Sequence, residues 1–215
     1  MMIALFNWFV KITGWPVQLL CFRTKILYED RKLQGRHVKG SAIILSNHTS
    51  VFDYAVYLFV FFTRTLRFQM AEVLFEKPLL GLFLKCLGGI RVDRNAHDFG
   101  FLPKSEKILE RGGVIGVFPE SRLPLPGEAR PLPFKVSAAY LALLSGAKII
   151  PVVTNGSYFC RKRARVLIGK PILASDLLED GADEKENLKI VSERLRERIM
   201  ELEKLLNGTE TTESR

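Results

Sequence analysis

The chain has little cysteine, little histidine and no long uninterrupted apolar run. Its 215 residues include three cysteines and three histidines. Cys21, Cys86 and Cys160 are odd in number and widely spaced, which argues against a disulfide framework or a cysteine-based metal cluster. With so few histidines, a zinc site would need an unusual ligand set. These scarcities fit a reducing compartment and no structural metal. No internal repeat and no low-complexity segment occurs. Neither zinc-finger spacing nor an aromatic-basic RNA-recognition string is present, so a nucleic-acid partner has no motif behind it.

A clean membrane span is also missing. Residues 1–22 are rich in Leu, Ile, Phe, Val and Trp, but the longest charge-free stretch runs only from Ile12 to Phe22. A spanning helix needs about 20 apolar residues. No basic region precedes the apolar run, so a secretory signal is a poor fit. Trp8, Trp15 and the Phe residues, flanked by Lys11, Arg23 and Lys25, suit one helix, or two broken near Gly14-Pro16, lying in the headgroup region. The plain alternative is a buried first helix of the core.

What is abundant is positive charge. The net charge is +9, with +14 on residues 1–175 and −5 on residues 176–215. A basic body of this kind suits an anionic membrane or a phosphorylated substrate. At this length the chain makes one domain with appendages. The expected division is an interfacial anchoring segment at 1–24, a main domain at 25–206 and a polar tail at 207–215.

Short apolar runs alternate with helical patterns. Strands are expected at 25–29, 41–46, 66–70, 89–93, 114–118, 149–154 and 163–168. Helices are expected at 51–62, 77–87, 98–111, 135–145 and 186–206. This alternation predicts an α/β fold: a mixed, mostly parallel sheet flanked by helices. In the last helix Leu188, Val191, Leu195, Ile199, Leu202 and Leu206 recur at helical spacing. Arg161-Lys162-Arg163-Ala164-Arg165 is the densest basic run and reads as the solvated start of a strand. His37 and His97 receive no role. Pro151, inside an apolar strand, predicts an edge or a bulge.

The stretch Asn47-His48-Thr49-Ser50-Val51-Phe52-Asp53 lies between two apolar runs, where a strand gives way to a helix. Strand ends of this kind carry the chemistry of α/β folds. Histidine is the usual general base near neutral pH, and a carboxylate is its usual orienting partner. Residues five apart on one helix stand about 140° apart, so the two can meet only if His48 lies in the turn and Asp53 in the first helical turn. Ser50 at the N-cap with Asp53 three residues on also spells a capping box. On these residues alone, a catalytic pair and a capped turn are both open.

Three more segments follow in order. Arg91-Val92-Asp93-Arg94 stands at a strand end. Phe118-Pro119-Glu120-Ser121-Arg122 opens a loop, 119–133, that holds five of the ten prolines. Ile149-Ile150-Pro151-Val152-Val153 is an apolar strand. Together with Asn47, His48 and Asp53, these segments resemble the glycerolipid acyltransferases, typified by 1-acyl-sn-glycerol-3-phosphate acyltransferase, in order and spacing across about 40–170.

The resemblance implies a glycerol-3-phosphate acyltransferase-like fold and an acyl transfer from acyl-CoA or acyl carrier protein to a lysophospholipid hydroxyl. Lysophosphatidate is the first expectation; another lysolipid, or a non-catalytic lipid-binding role, is the alternative. His48 would be the base and Asp53 its orienting carboxylate. Asn47, Arg91, Arg94, Glu120, Ser121 and Arg122 would surround the substrate, with Arg94 and Arg122 meeting its phosphate. A tetrahedral oxyanion would need donors, for which backbone amides near the start of the helix at 51 are candidates. No metal or cofactor is implied beyond the acyl donor, and the expected place is the cytoplasmic face of a membrane. One departure stands out. Where the family has Glu-Gly-Thr-Arg this chain has Glu120-Ser121-Arg122, and serine does not readily take the positive φ that glycine allows.

Overall fold

The fold is described from a computed structural model, which covers residues 2–93, 100–159 and 163–213, with side chains described up to residue 208. Seven strands form one sheet: β1 (Lys25–Tyr28), β2 (Ala42–Ser46), β3 (Leu66–Ala71), β4 (Ile90–Val92), β5 (Val114–Val117), β6 (Lys148–Thr154) and β7 (Arg165–Ile168). Their spatial order is β1-β7-β6-β2-β5-β3-β4. All neighbours are parallel except β6 and β7. The central strands are apolar throughout because helices cover both faces, as a parallel sheet requires.

One face buries the inward sides of α6 (Phe101–Glu110), α7 (Ser137–Ser145) and α8 (Glu184–Glu213). The other buries α3 (Asp53–Val60) and the inner side of the N-terminal segment. Two elements were not expected: the short α4 (Glu72–Glu76), just before α5 (Pro78–Leu87), and a 3₁₀ turn at Ala174–Leu177. The polar stretch from 207 continues α8 to Glu213 instead of starting a tail. Extending an existing helix is far easier than nucleating one.

Pro151 sits in a central strand, yet the reason for tolerating it is the anticipated one. Its carbonyl accepts Gly169 N–H at 2.8 Å, and beyond it the pairing slips by one residue: Val152 faces Ile168, but Ile149 bridges Ile172. The absent proline N–H therefore falls at a bulge.

The N-terminal segment breaks where expected. α1 (Met2–Thr13) ends before Gly14, α2 (Trp15–Val17) carries Pro16, and a π-helical stretch completes the run at Gln18–Phe22. Leu5, Phe9, Ile12, Leu19 and Leu20 face outward. Lys11 does not reach for headgroups. It is buried, and its Nζ donates to the carbonyls of Phe62 at 2.9 Å and Arg64 at 2.6 Å, pinning α1 to the end of α3. Burial pushes its ammonium down to about 8. Among the described residues, no helix is long and apolar enough to cross a membrane.

Candidate active site

The parallel strands β2, β5, β3, β4 and β6 all point their C-terminal ends at one edge of the sheet. His48 lies two residues beyond β2 at that edge, and α3 begins at Asp53. Phe52, not Ser50, occupies the cap position of α3. Ser50 Oγ accepts the Phe52 N–H at 3.2 Å, two residues on, which is a turn rather than a helix cap. The return arm of a capping box survives, because Asp53 Oδ2 accepts the Ser50 N–H at 2.9 Å.

Asp53 is fully buried, and its carboxylate is the hub of the turn. Oδ2 meets His48 Nδ1 at 3.0 Å and also accepts the Thr49 N–H at 2.7 Å. Oδ1 accepts Thr49 Oγ1–H at 2.9 Å and Tyr158 O–H at 2.7 Å. A carboxylate surrounded by donors is an acceptor only, so the proton in the dyad sits on His48 Nδ1. Nε2 is then the lone-pair nitrogen, carried on a ring that lines an open groove of about 500 Å³. The capping and catalytic readings of Asp53 thus describe one arrangement: the bonds that hold the turn also aim the imidazole.

Aromatic rings fix the other face of His48. Phe118 stacks on it at 4.3 Å between centroids, and Phe68 stacks on Phe118 at 5.3 Å. A Cβ on Gly116 would come within 2.2 Å of the Phe68 ring, so only glycine leaves room for this stack.

The remaining expected site residues divide. Glu120 is buried and holds backbone: Oε1 accepts His48 N–H at 2.9 Å and Oε2 accepts Leu132 N–H at 2.8 Å. It ties the proline-rich loop to the histidine turn. Asn47 is likewise buried, and its side chain is committed to the protein. Its Oδ1 accepts Thr154 N–H at 3.0 Å, and its Nδ2 donates to Thr154 O at 3.0 Å and Glu203 Oε1 at 2.7 Å. Neither side chain lines the groove, whereas Ser121 and Arg122 do. Arg122 grips Glu128 through two 2.7 Å bonds. That pairing, with the Leu125 N–H, pulls the Glu128 carboxyl down to about 2. Arg91 projects to solvent from β4, away from the groove, because its neighbour Val92 takes the inward side. Arg94, like His97, lies outside the described residues.

Ser121 overturns the expectation drawn from its residue type. It holds φ +64°, the left-handed conformation that glycine would supply. The turn keeps its shape, closed by Ser121 N–H to Phe118 O at 3.1 Å, and the serine bears the strain.

Backbone donors at the start of α3 are scarcer than expected. The amides of 48, 49, 50, 52 and 53 are all engaged within the turn or with Glu120. Val51, which lines the groove, is the exception among residues 48–53.

Two contributors carried no sequence signal. Tyr158, on the loop after β6, donates to Asp53 from 105 residues away. Burial first, and the Asp53 charge second, hold its phenol well above the ordinary range. Glu203, on α8, braces Asn47 and lies 156 residues from it; burial raises its carboxyl. An adjacency rule cannot find partners at such separations.

Known proteins share this framework. The Acyltransferase family model matches residues 26–155. The 1-acyl-sn-glycerol-3-phosphate acyltransferase of Bacillus subtilis is 26% identical over 147 residues, 66% of this chain and 71% of that protein. The enzyme of the same name from Limnanthes alba is 30% identical over 136 residues, 61% of this chain and 47% of the plant protein, so the chain spans about half of that relative. The crystal structure of the 1-acyl-sn-glycerophosphate (LPA) acyltransferase PlsC from Thermotoga maritima superimposes with a TM-score of 0.63 at 20% identity, covering 94% of this chain and 79% of that one. At that identity the likeness concerns the fold. With the family model spanning more than half its length, the chain is an enzyme of the acyltransferase family.

Proposed function

We propose that the protein transfers a fatty acyl group from a thioester, acyl-CoA or acyl carrier protein, to the free hydroxyl of 1-acyl-sn-glycerol-3-phosphate. The observation that carries this reading is the dyad: Nδ1 of His48 is held by buried Asp53, and Nε2 is left for the groove. Nε2 takes the hydroxyl proton as the oxygen attacks the thioester carbonyl. The tetrahedral intermediate then collapses, the carbon–sulfur bond breaks, and the imidazolium returns the proton to the departing thiolate. General-base help of this kind is worth roughly 10²–10⁴-fold. Asp53 stabilises the transient cation. The Val51 N–H is the donor available for the oxyanion.

The groove suits a lipid acceptor. Val51, Phe52, Leu74, Leu80 and Leu84 give it apolar walls, and Arg122 and Lys135 stand on its lining. Arg122 is the proposed phosphate contact. In the free protein its guanidinium is shared with Glu128, so phosphate must displace a carboxylate. That pairing also favours a second acceptor class, a lysolipid with another head group. The outward apolar face of α1 and the π-helical stretch would rest on the membrane surface beside the groove's lipid supply.

An acceptor screen tests the reading. One acyl-CoA is supplied with a panel of lysolipids, and thiol release is followed. Lysophosphatidate is expected to turn over fastest. A faster lyso-aminolipid or zwitterionic lysolipid would move the assignment to the second class, and no release with any lysolipid would remove it.

A further inference from the structure

The opposite edge of the sheet carries a second groove, of about 470 Å³, that the acyl transfer does not use. It opens at the N-terminal ends of β3 and β5, beside the last turn of α6. Arg64, Arg67, Lys104, Lys107 and Arg111 line it, and no carboxylate does. Arg64 is a structural member: it donates to the carbonyls of Val38 and Gly112. The other four side chains make no hydrogen bond or ion pair among the described residues. Arg67 is half-buried, and burial followed by the nearby Arg111 holds its guanidinium below its ordinary range.

Cations gathered without counter-ions repel one another unless an anion joins them. Lys107 and Arg111 at the end of α6 also complement the helix dipole. That accounts for two of the five, and the two carbonyls account for Arg64, which leaves Arg67 on β3 and Lys104 on α6. Neither can the groove be the acceptor site of the dyad, because the strands separate it from His48.

Its neighbour is the apolar N-terminal helix. The Lys11 ammonium of α1 caps the carbonyls of Phe62 and Arg64, immediately before the groove's Thr65 and Arg67. Trp8 stands edge-on to Phe62 at 5.0 Å. Ile3 Cγ2 and Arg67 Cγ lie 2.8 and 3.2 Å from the point where a Cβ on Gly88 would be, so α1 and the groove wall pack on one glycine. The inward side of α1 therefore packs on the groove wall, while Leu5, Phe9 and Ile12 on its other side are exposed.

We propose that this groove holds the phosphate of an anionic phospholipid, seating the enzyme on the bilayer beside the apolar face of α1. The inference rests on the proposed membrane-surface reading of the N-terminal segment. Guanidinium forks and lysine ammoniums supply bidentate and point contacts to a phosphate monoanion. The same chemistry would take a free phosphate or the phosphates of a nucleotide. Adjacency to α1 selects the lipid, since the segment proposed to rest on the bilayer packs directly on the groove wall at Arg64 and Arg67.

The test is flotation of the full chain with vesicles of phosphatidylcholine alone and with vesicles that also contain phosphatidylglycerol. The wild type should bind both and prefer the anionic ones. The variant Arg67→Gln/Lys107→Gln/Arg111→Gln should keep its binding to neutral vesicles and lose roughly fivefold in anionic preference for each charge removed. A charge-matched control, Lys185→Gln/Lys189→Gln/Lys204→Gln on α8, should lose far less. Equal loss in the control, or full preference in the groove variant, overturns the proposal and leaves the membrane reading intact. Absence of binding to either vesicle overturns that reading and the lipid assignment together. Adenosine 3′,5′-bisphosphate gives the last arm: its binding, lost in the groove variant while vesicle preference is unchanged, would reassign the groove to a soluble nucleotide.

Discussion

The two edges of the sheet hold polar groups in opposite ways. At the C-terminal edge, Asn47, His48, Asp53, Glu120 and Tyr158 are bonded to one another or to backbone, and most are buried. At the N-terminal edge, Arg67, Lys104, Lys107 and Arg111 share a groove and have no partner among the described residues. The first arrangement holds the His48 ring against the groove, as the proposed general-base chemistry requires. The second keeps charge available for an incoming anion. Lys11 is the instructive intermediate: a cation at the second edge that is buried and bonded, and that serves to pin α1.

If the catalytic edge works as a single bonded unit, its hub should be the most sensitive point. Asp53→Asn keeps the shape of the turn but removes the charge that stabilises the imidazolium. Turnover should fall on the order of 10²-fold or more, with KM changed little, as measured by thiol release from acyl-CoA. A fall of only a few-fold would mean that the dyad does not act as drawn.

Glu120→Gln comes next. Its carboxylate accepts two backbone N–H groups, and an amide would turn one N–H donor against another. Leaving a buried donor unpaired costs about 1–3 kcal/mol, to be read from the urea midpoint. Because one of those amides belongs to His48, kcat should drop as well. A substrate-binding role alone would raise KM and leave stability unchanged.

Lys11 sharpens the contrast through pH. Burial lowers its ammonium from 10.5 to about 8. Between those values the unfolded chain binds the proton more often than the folded one. The burial penalty is therefore fully present below about 8, and this group's contribution to stability rises as pH rises towards 10.5. Denaturation of the wild type and Lys11→Met at several pH values should show their difference shifting in favour of the wild type across that window. A flat difference would mean that the two carbonyl bonds outweigh burial.

The smallest effect is expected at Ser121. A left-handed non-glycine residue costs roughly 1–2 kcal/mol, and the added freedom of glycine in the unfolded chain removes roughly 0.5–1 of that gain. Ser121→Gly should therefore raise the melting temperature by about 2–4 °C. A lower melting temperature would show that the serine side chain contributes more than its backbone strain takes away.

The strands were legible because each is a short apolar run bounded by polar turns, and a doubly covered parallel sheet demands that pattern. α4 was not, since five residues directly after β3 carry neither a period nor a cap. His48 and Asp53 were readable together because five residues separate them, and a turn followed by a helix brings such residues into contact. The roles of Asn47 and Glu120 were not. Residues beside a reactive histidine look alike in sequence whether they meet substrate or backbone, and what decides here is burial against Thr154, Leu132 and Glu203. Tyr158 and the basic groove depend on tertiary contacts alone. Ser121 taught the converse: a residue type that disfavours a conformation yields when the turn around it is fixed on both sides.

The central claim is that Nε2 of His48 removes the acceptor proton. His48→Ala, assayed by thiol release with lysophosphatidate and acyl-CoA, tests it most directly. Turnover is predicted to fall by roughly 10²–10⁴-fold, with the melting temperature and vesicle binding close to wild type. Turnover within a few-fold of wild type in a folded, vesicle-bound variant would contradict it.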